Sequence, residues 1–342
     1  MADDSKTLLI IGAGGFIGGF IAAEGLRRGY TVWAGVRAST SRRFLTDPRL
    51  KFVVFDYDDP DQVEQAIREA APAAHGWDDI IWNLGATKSV TFAGFNLVNF
   101  MYPRTFVETL RRLDMVPRRF LYISSLSALG PGDEKTYAPL TSATVPNPNT
   151  RYGLSKIKTE TYLETLADFP WIIFRPTGVY GPHEQDYLMM IKSIDSHFDF
   201  GVGYRRQMLT FIYVDDLVNA MFDALASPDT LRRKYIISED RAYSQAEFRK
   251  MVARELGCKL VIPVRLPLWT AWIASVVSEK WGSAKGKPMT LNRDKFKIMR
   301  QRNWNCDISD ARRDFGFTPR VDLAEGIRRT VAAYRESKGG ER

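Results

Sequence analysis

A tyrosine and a lysine stand four residues apart in Tyr152-Gly153-Leu154-Ser155-Lys156. On a helix they share one face. A neighbouring ammonium favours phenolate and lowers a tyrosine pKa, which makes the phenol an acid–base group usable near neutral pH. Ser125 ends the apolar run Arg119-Phe120-Leu121-Tyr122-Ile123-Ser124-Ser125, where its hydroxyl is placed to hydrogen-bond a reacting carbonyl oxygen. Taken alone, a Tyr and a Lys at this spacing decorate a solvated helix face. They acquire chemical meaning only after a serine-tipped strand in a nucleotide-binding sheet.

The stretch 6–37 predicts such a sheet. Leu8-Leu9-Ile10-Ile11 has the continuous apolarity of a strand buried on both faces. Gly12-Ala13-Gly14-Gly15-Phe16-Ile17-Gly18 follows, then a helix pattern over 16–28, a Gly29-Tyr30 stop, and a second strand from Thr31. In this turn Gly12 permits the bend and Gly15 lets backbone N–H groups approach a pyrophosphate. Gly18 lets helix and strand pack closely, and the helix that Phe16 and Ile17 open turns its positive end to the phosphates. A glycine pattern between a strand and a helix is far more specific than the pattern alone. Asp3 and Asp4 stand where a secretory signal would be basic, so no signal peptide is expected.

The second strand ends in Gly35-Val36-Arg37, without the acid that would bond both ribose hydroxyls of NAD. Arg37, with Arg42 and Arg43 close behind, suits a 2′-phosphate by charge and geometry, so NADP(H) is expected over NAD(H).

The chain has 342 residues, 45% hydrophobic and 26% charged, which allows two domains or one large α/β unit with an added lobe. A net charge of +8 suits an anionic cofactor, an acidic membrane surface or nucleic acid without choosing among them. No basic block is interleaved with aromatics, so nucleic acid is not expected. Cys258 and Cys306 are far apart and only His75, His183 and His197 could join them, so no metal site is expected. Two cysteines and the lack of a long uncharged apolar run predict a soluble, cytoplasmic protein.

Further strands are predicted at 51–56, 79–84, 119–125 and 171–175, with helices over 61–74, 95–112 and 152–166. Pro103 should kink the second of these helices. The alternation predicts an α/β doubly wound parallel sheet of Rossmann type. We expect a dinucleotide-binding domain over 1–180, with 207–240 returning to the sheet through strands at 209–214 and 234–238 and a helix at 215–226. A smaller substrate-binding lobe takes 181–206 and 241–338, with helical patterns near 244–256, 267–280, 307–314 and 322–336. Substrate should lie between sheet and lobe.

These motifs together resemble the extended short-chain dehydrogenase/reductase family, also called the NAD-dependent epimerase/dehydratase family. The matching features are the glycine turn, Asp56, Leu84-Gly85-Ala86, Asn99, Ser125, Tyr152 with Lys156, the run Arg175-Pro176-Thr177-Gly178-Val179-Tyr180-Gly181-Pro182, and Phe211-Ile212-Tyr213-Val214-Asp215-Asp216. The resemblance implies that Tyr152 exchanges a proton with the substrate oxygen and Ser125 steadies it. Lys156 would bind the nicotinamide ribose and tune the tyrosine. Asp56 would sit near the adenine with Tyr57 beside it, Leu84 to Ala86 would line the cofactor, and Pro176 and Val179 would flank the nicotinamide. Thr87, Ser127, Thr177 and His183 are the substrate candidates, and Asn99 the holder of a structural hydrogen bond. A homodimer through the helices near 96–112 and 152–166 is implied as well.

Within that family, dehydratases carry Asp-Glu after the catalytic hydroxyl, whereas this chain has Leu126-Ser127-Ala128. Many epimerases carry a pyrophosphate-gripping arginine where this chain has Leu209, although Arg205 and Arg206 are close. The chain looks nearest the 3β-hydroxysteroid dehydrogenase and dihydroflavonol reductase branches, which act on bulky apolar carbonyls or alcohols. The expectation is hydride transfer on a largely apolar small molecule, the alternative a nucleotide-sugar epimerase or reductase. The intact Ser, Tyr and Lys argue against a non-catalytic cofactor sensor. The apolar segment 266–281, with Trp269, Trp272 and Trp281, fits a lobe-core helix, a lining for a hydrophobic substrate or a membrane contact.

Overall fold

The apolar runs of the first half become parallel strands buried on both faces. In the computed structural model, which describes residues 5–286, 289 and 291–340, these are β1 (Thr7–Ile11), β2 (Thr31–Val36), β3 (Lys51–Val54), β4 (Asp79–Trp82), β5 (Arg119–Ile123) and β6 (Trp171–Pro176). Asp3 and Asp4 lie outside the described residues. The helices between them are α1 (Phe16–Arg27), α2 (Pro60–Ala70), α3 (Phe92–Asn96), α4 (Tyr102–Arg112) and α5 (Arg151–Glu164). The second half supplies β7 (Gly178–Tyr180), α6 (Gln185–Asp195), β8 (Phe198–Val202), β9 (Met208–Tyr213), α7 (Val214–Ala226), β10 (Arg233–Ile237), β11 (Ala242–Ser244) and α8 (Gln245–Leu256). It ends with β12 (Ile262–Leu266), α9 (Leu268–Ala284), α10 (Arg293–Arg300), α11 (Ser309–Phe315) and α12 (Leu323–Gly340).

Seven parallel strands form the main sheet in the order β10-β6-β5-β4-β1-β2-β3. The winding direction reverses between β1 and β4, where Ile10 is level with both Ala34 and Ile81. Ligands of such sheets bind at that switch point, outside the carboxyl ends of the strands. One core, including Leu8, Ile10, Ile81 and Leu121, lies on one face; the other includes Leu9, Ile11, Trp82 and Tyr122.

Two elements depart from the sequence reading. The strand near 209–214 does not join the main sheet. After Pro176 the chain bonds Thr177 N to the Ile237 carbonyl at 3.1 Å and then forms β7, so β9 pairs instead with β7 and β11 in a separate three-stranded sheet. The expected helix at 95–112 is helical from Phe92 to Arg112 but contains a π turn, Leu97–Met101. Pro103 has no N–H for the Asn99 carbonyl four residues back. That carbonyl instead accepts hydrogen bonds from the Tyr122 phenol at 3.2 Å and the Thr159 hydroxyl at 2.5 Å. Helix α6, strand β8 and helix α10 were not anticipated. Among the described residues no helix is long and apolar enough to cross a membrane.

Candidate active site

Helix α5 carries Tyr152 and Lys156 on one face, and Glu160 one turn further on. Its first turn is held from two sides. The Thr150 hydroxyl accepts from Gly153 N at 3.0 Å, and the Asp294 carboxylate from α10 accepts from Arg151 N at 2.8 Å and Tyr152 N at 3.4 Å. A carboxylate on these free N–H groups satisfies them and complements the helix dipole. Glu279 of α9 joins Arg151 at 3.1 Å and Arg293 at 3.0 Å, and Arg293 holds its carboxyl down at about 2. The lobe thus fixes the turn from which the tyrosine projects.

The Ser125 hydroxyl bonds the Tyr152 phenol and lowers its pKa, but burial is the larger influence and pushes it up to about 12. This corrects the expectation of a phenol lowered by its lysine. The Lys156 ammonium donates to the Ile123 carbonyl at 2.8 Å and lies 4.8 Å from the Tyr122 ring centroid. Burial brings Lys156 down to about 7, while the charge of Glu160 opposes the fall. Glu160 is fully buried, paired with Arg175 at 2.5 Å, and accepts from the Ser124 hydroxyl. Sequence analysis missed Glu160 although it stands eight residues from Tyr152 on the same stripe, and it missed Asp294 altogether.

Asn99 has a structural role. Its side chain accepts from Ala86 N at 2.8 Å and donates to Ala86 O at 3.0 Å and the Ser155 hydroxyl at 2.8 Å. Ser155 donates in turn to the Tyr152 carbonyl at 2.7 Å. The turn Leu84 to Ala86 is thereby tied to α5. A Cβ on Gly85 would lie 3.0 Å from Lys156 Nζ, so the ammonium faces this turn.

The glycine turn fits a dinucleotide. Gly12 has φ +83°, and a Cβ there would press on Leu84 N at 2.7 Å. A Cβ on Gly18 would strike the Ala13 carbonyl, whereas one on Gly15 would meet only Gly12 O at 3.7 Å. Gly15 therefore borders open space and Gly18 closes the helix on its strand. Phe16 and Ile17 begin α1 and pack on the core. Arg37 follows β2 with its N–H on the Thr40 hydroxyl at 3.0 Å, and Thr40 packs over Gly14. Among the described residues no carboxylate pairs with Arg37, Arg42 or Arg43; Arg42 stacks on Phe52 at 4.2 Å. A bound dinucleotide would be held by this turn, Arg37, exposed Asp56 and Lys156, and it would supply a hydride donor or acceptor. The chain's own part would be to bind it, place a carbonyl oxygen at Ser125 and Tyr152, and move one proton at the phenol.

The other predicted contacts have the following surroundings. Tyr57 is buried in an aromatic cluster, 5.4 Å from Tyr102 and 6.0 Å from Trp82 between ring centroids. Thr177 bonds the Ile237 backbone, and the ring of exposed His183 is tilted against Phe44 at 4.8 Å. Ser127 N donates to the Ser125 hydroxyl at 3.2 Å, Thr87 is exposed, and Pro176 and Val179 lie on β6 and β7. Among the described residues no group of three or more His, Cys, Asp or Glu is placed to hold a metal.

Comparison with known proteins agrees with this geometry. The sterol-4-alpha-carboxylate 3-dehydrogenase (decarboxylating) of Saccharomyces cerevisiae is 23% identical over 308 residues, covering 83% of this chain and 82% of that one. The UDP-glucose 4-epimerase of Thermotoga maritima, solved with UDP-glucose, superposes with a TM-score of 0.76 at 21% identity, covering 97% of this chain and 99% of its own. The dTDP-glucose 4,6-dehydratase of Bacillus anthracis, solved with NAD, gives a TM-score of 0.77 at 16% identity and covers 98% of both. Residues 8–238 match the NAD dependent epimerase/dehydratase family. With the sheet's switch point, the glycine turn and the Ser–Tyr–Lys trio, that match places the chain in this family of nicotinamide-dependent, extended short-chain oxidoreductases.

Proposed function

We propose that the protein is an NADP(H)-dependent oxidoreductase that moves hydride between nicotinamide and the carbonyl or alcohol carbon of a largely apolar small molecule. The observation that carries the redox part is the Ser125 hydroxyl bonded to the Tyr152 phenol, with Lys156 buried one turn along and facing Gly85. Arg37 at the end of β2, without a carboxylate partner among the described residues, supports NADP(H). The sterol-acting relative and the apolar Leu126 and Leu209 support the substrate class. Outward-facing Phe92, Leu97, Met101 and Leu154 support a homodimer through the helical stretch 92–112 and α5. The test is titration with NADPH and NADH, then cofactor absorbance across a panel of apolar ketones and alcohols. Tighter NADPH binding and turnover of a panel member is the expected result. Stronger NADH binding, or no hydride transfer, would overturn it.

A second reading rests on one cavity. Arg205, Arg206, Arg265, Arg300 and Arg302 surround a space of about 180 Å³ at the N-terminus of α8. This favours a diphosphate-bearing substrate, hence a nucleotide-sugar epimerase or reductase. Thermal stabilisation by UDP- or GDP-sugars but not by apolar ketones would select it.

A further inference from the structure

Part of the lobe is built inside out. The two-stranded sheet of β8 and β12 pairs Ile262 with Phe198, Val264 with Phe200 and Leu266 with Val202, so these six side chains share one face. Phe198, Phe200, Ile262 and Leu266 of that face are exposed. The opposite face carries the charges, with Asp199 buried against Arg249 at 3.2 Å and half-buried Arg265 at 3.1 Å. In water a half-covered sheet has the reverse arrangement.

Strand β12 runs through Pro267 into α9, which repeats the inversion. The helix buries small residues, Ala271, Ser275 and Gly282. Outward it carries Trp269, Ile273, Val277 and Trp281 at four-residue steps, with Trp272 beside them. Trp269 is 66% exposed, Trp272 51%, Val277 58% and Trp281 59%. Seventeen residues give a stripe about 25 Å long. Large apolar side chains outside and small ones inside make an interaction face, not a core.

The charges around the stripe select its partner. Glu279, the only acid on α9, is turned to Arg151 and Arg293. Lys259, Lys280 and Lys285 are exposed, and no carboxylate among the described residues pairs with them; Lys285 lies over Trp281 at 4.4 Å. A second copy of this chain would bring the same cations against each other. Tryptophans at polar–apolar boundaries and unpaired lysines beside them match an anionic lipid surface. We propose that α9, with the outer face of β8 and β12, lies in the headgroup region of an anionic membrane and docks the enzyme there without spanning it.

The test is flotation of the full chain with phosphatidylcholine vesicles, with and without phosphatidylserine, at low and high salt. The expected result is binding that requires phosphatidylserine, weakens with salt and shifts tryptophan emission to the blue. Trp269→Ser/Trp281→Ser and, separately, Lys280→Glu/Lys285→Glu should each weaken it about tenfold or more. Both lysines are exposed, so the lysine variant decides the matter if the tryptophan variant loses stability. No binding to phosphatidylserine vesicles at low salt, or unchanged binding by the lysine variant, overturns the proposal. So does a chain that ignores vesicles but dimerises through the tryptophans. None of these readouts depends on the catalytic assignment.

Discussion

Replacing Glu160 by Gln removes one partner of a pair that lies wholly inside the protein. Glu160 is 0% exposed and Arg175 1%, and the guanidinium donates to the carboxylate through Nε at 3.0 Å and Nη2 at 2.5 Å. Arg175 Nη1 already has no protein partner, so Glu160→Gln leaves a buried, uncompensated cation. Breaking a buried pair from one side costs about 3–5 kcal/mol. In a chain of 342 residues that lowers the melting temperature by roughly 4–7 °C. Neutralising both partners in Glu160→Gln/Arg175→Met should restore most of the loss, because burying two neutral groups escapes the desolvation that the pair must offset. Loss of Glu160 also removes the charge that supports the Lys156 ammonium, so its pKa falls further below about 7. Thermal and urea melts of the single and double variants measure the first effect, and the pH dependence of cofactor affinity the second. An unchanged melting temperature for Glu160→Gln, or a double variant worse than the single, would refute the reasoning.

Three further outcomes follow from the cleft and the lobe. Arg37→Ala should weaken NADPH about ten- to a hundredfold, the loss of a charge-assisted contact, and leave NADH nearly unchanged in fluorescence titrations. Gly15→Ala should fold normally and lose cofactor binding, whereas Gly18→Ala should destabilise the fold itself; melts with and without NADPH separate the two. Burial pushes Glu239 up from 4.5 to about 7, so the folded chain holds that proton more tightly than the unfolded one. The stabilisation is complete below the usual carboxylate range and is lost as pH rises through about 7; urea melts at about pH 5 and pH 8 should show it, and Glu239→Gln should remove it.

The sheet was legible because its strands are buried on both faces: Leu8 to Ile11 needs no partner to declare itself, and the glycine turn that follows can close in few other ways. The lobe was not, because its patterns answer to surfaces far away in the chain. In β8 the alternation is present but reversed, with Asp199 inward and Phe198 and Phe200 outward. Asp294 satisfies a helix more than 140 residues before it, which no local pattern reveals. The trio was found from spacing, yet its electrostatics were not. The Lys156 ammonium bonds the Ile123 carbonyl, and burial outweighs the Ser125 hydrogen bond at the Tyr152 phenol. Tyr57 adjoins Asp56, but the alternation after β3 turns it into the aromatic core and leaves Asp56 exposed.

The central claim is that the Tyr152 phenol passes the proton that accompanies hydride transfer. Tyr152→Phe keeps the ring and removes only the hydroxyl, so NADPH affinity and turnover of a panel carbonyl, measured on one preparation, test it most directly. The account predicts turnover reduced about 10²–10⁴-fold with the cofactor dissociation constant unchanged. Turnover equal to wild type, with NADPH bound as before, would contradict it.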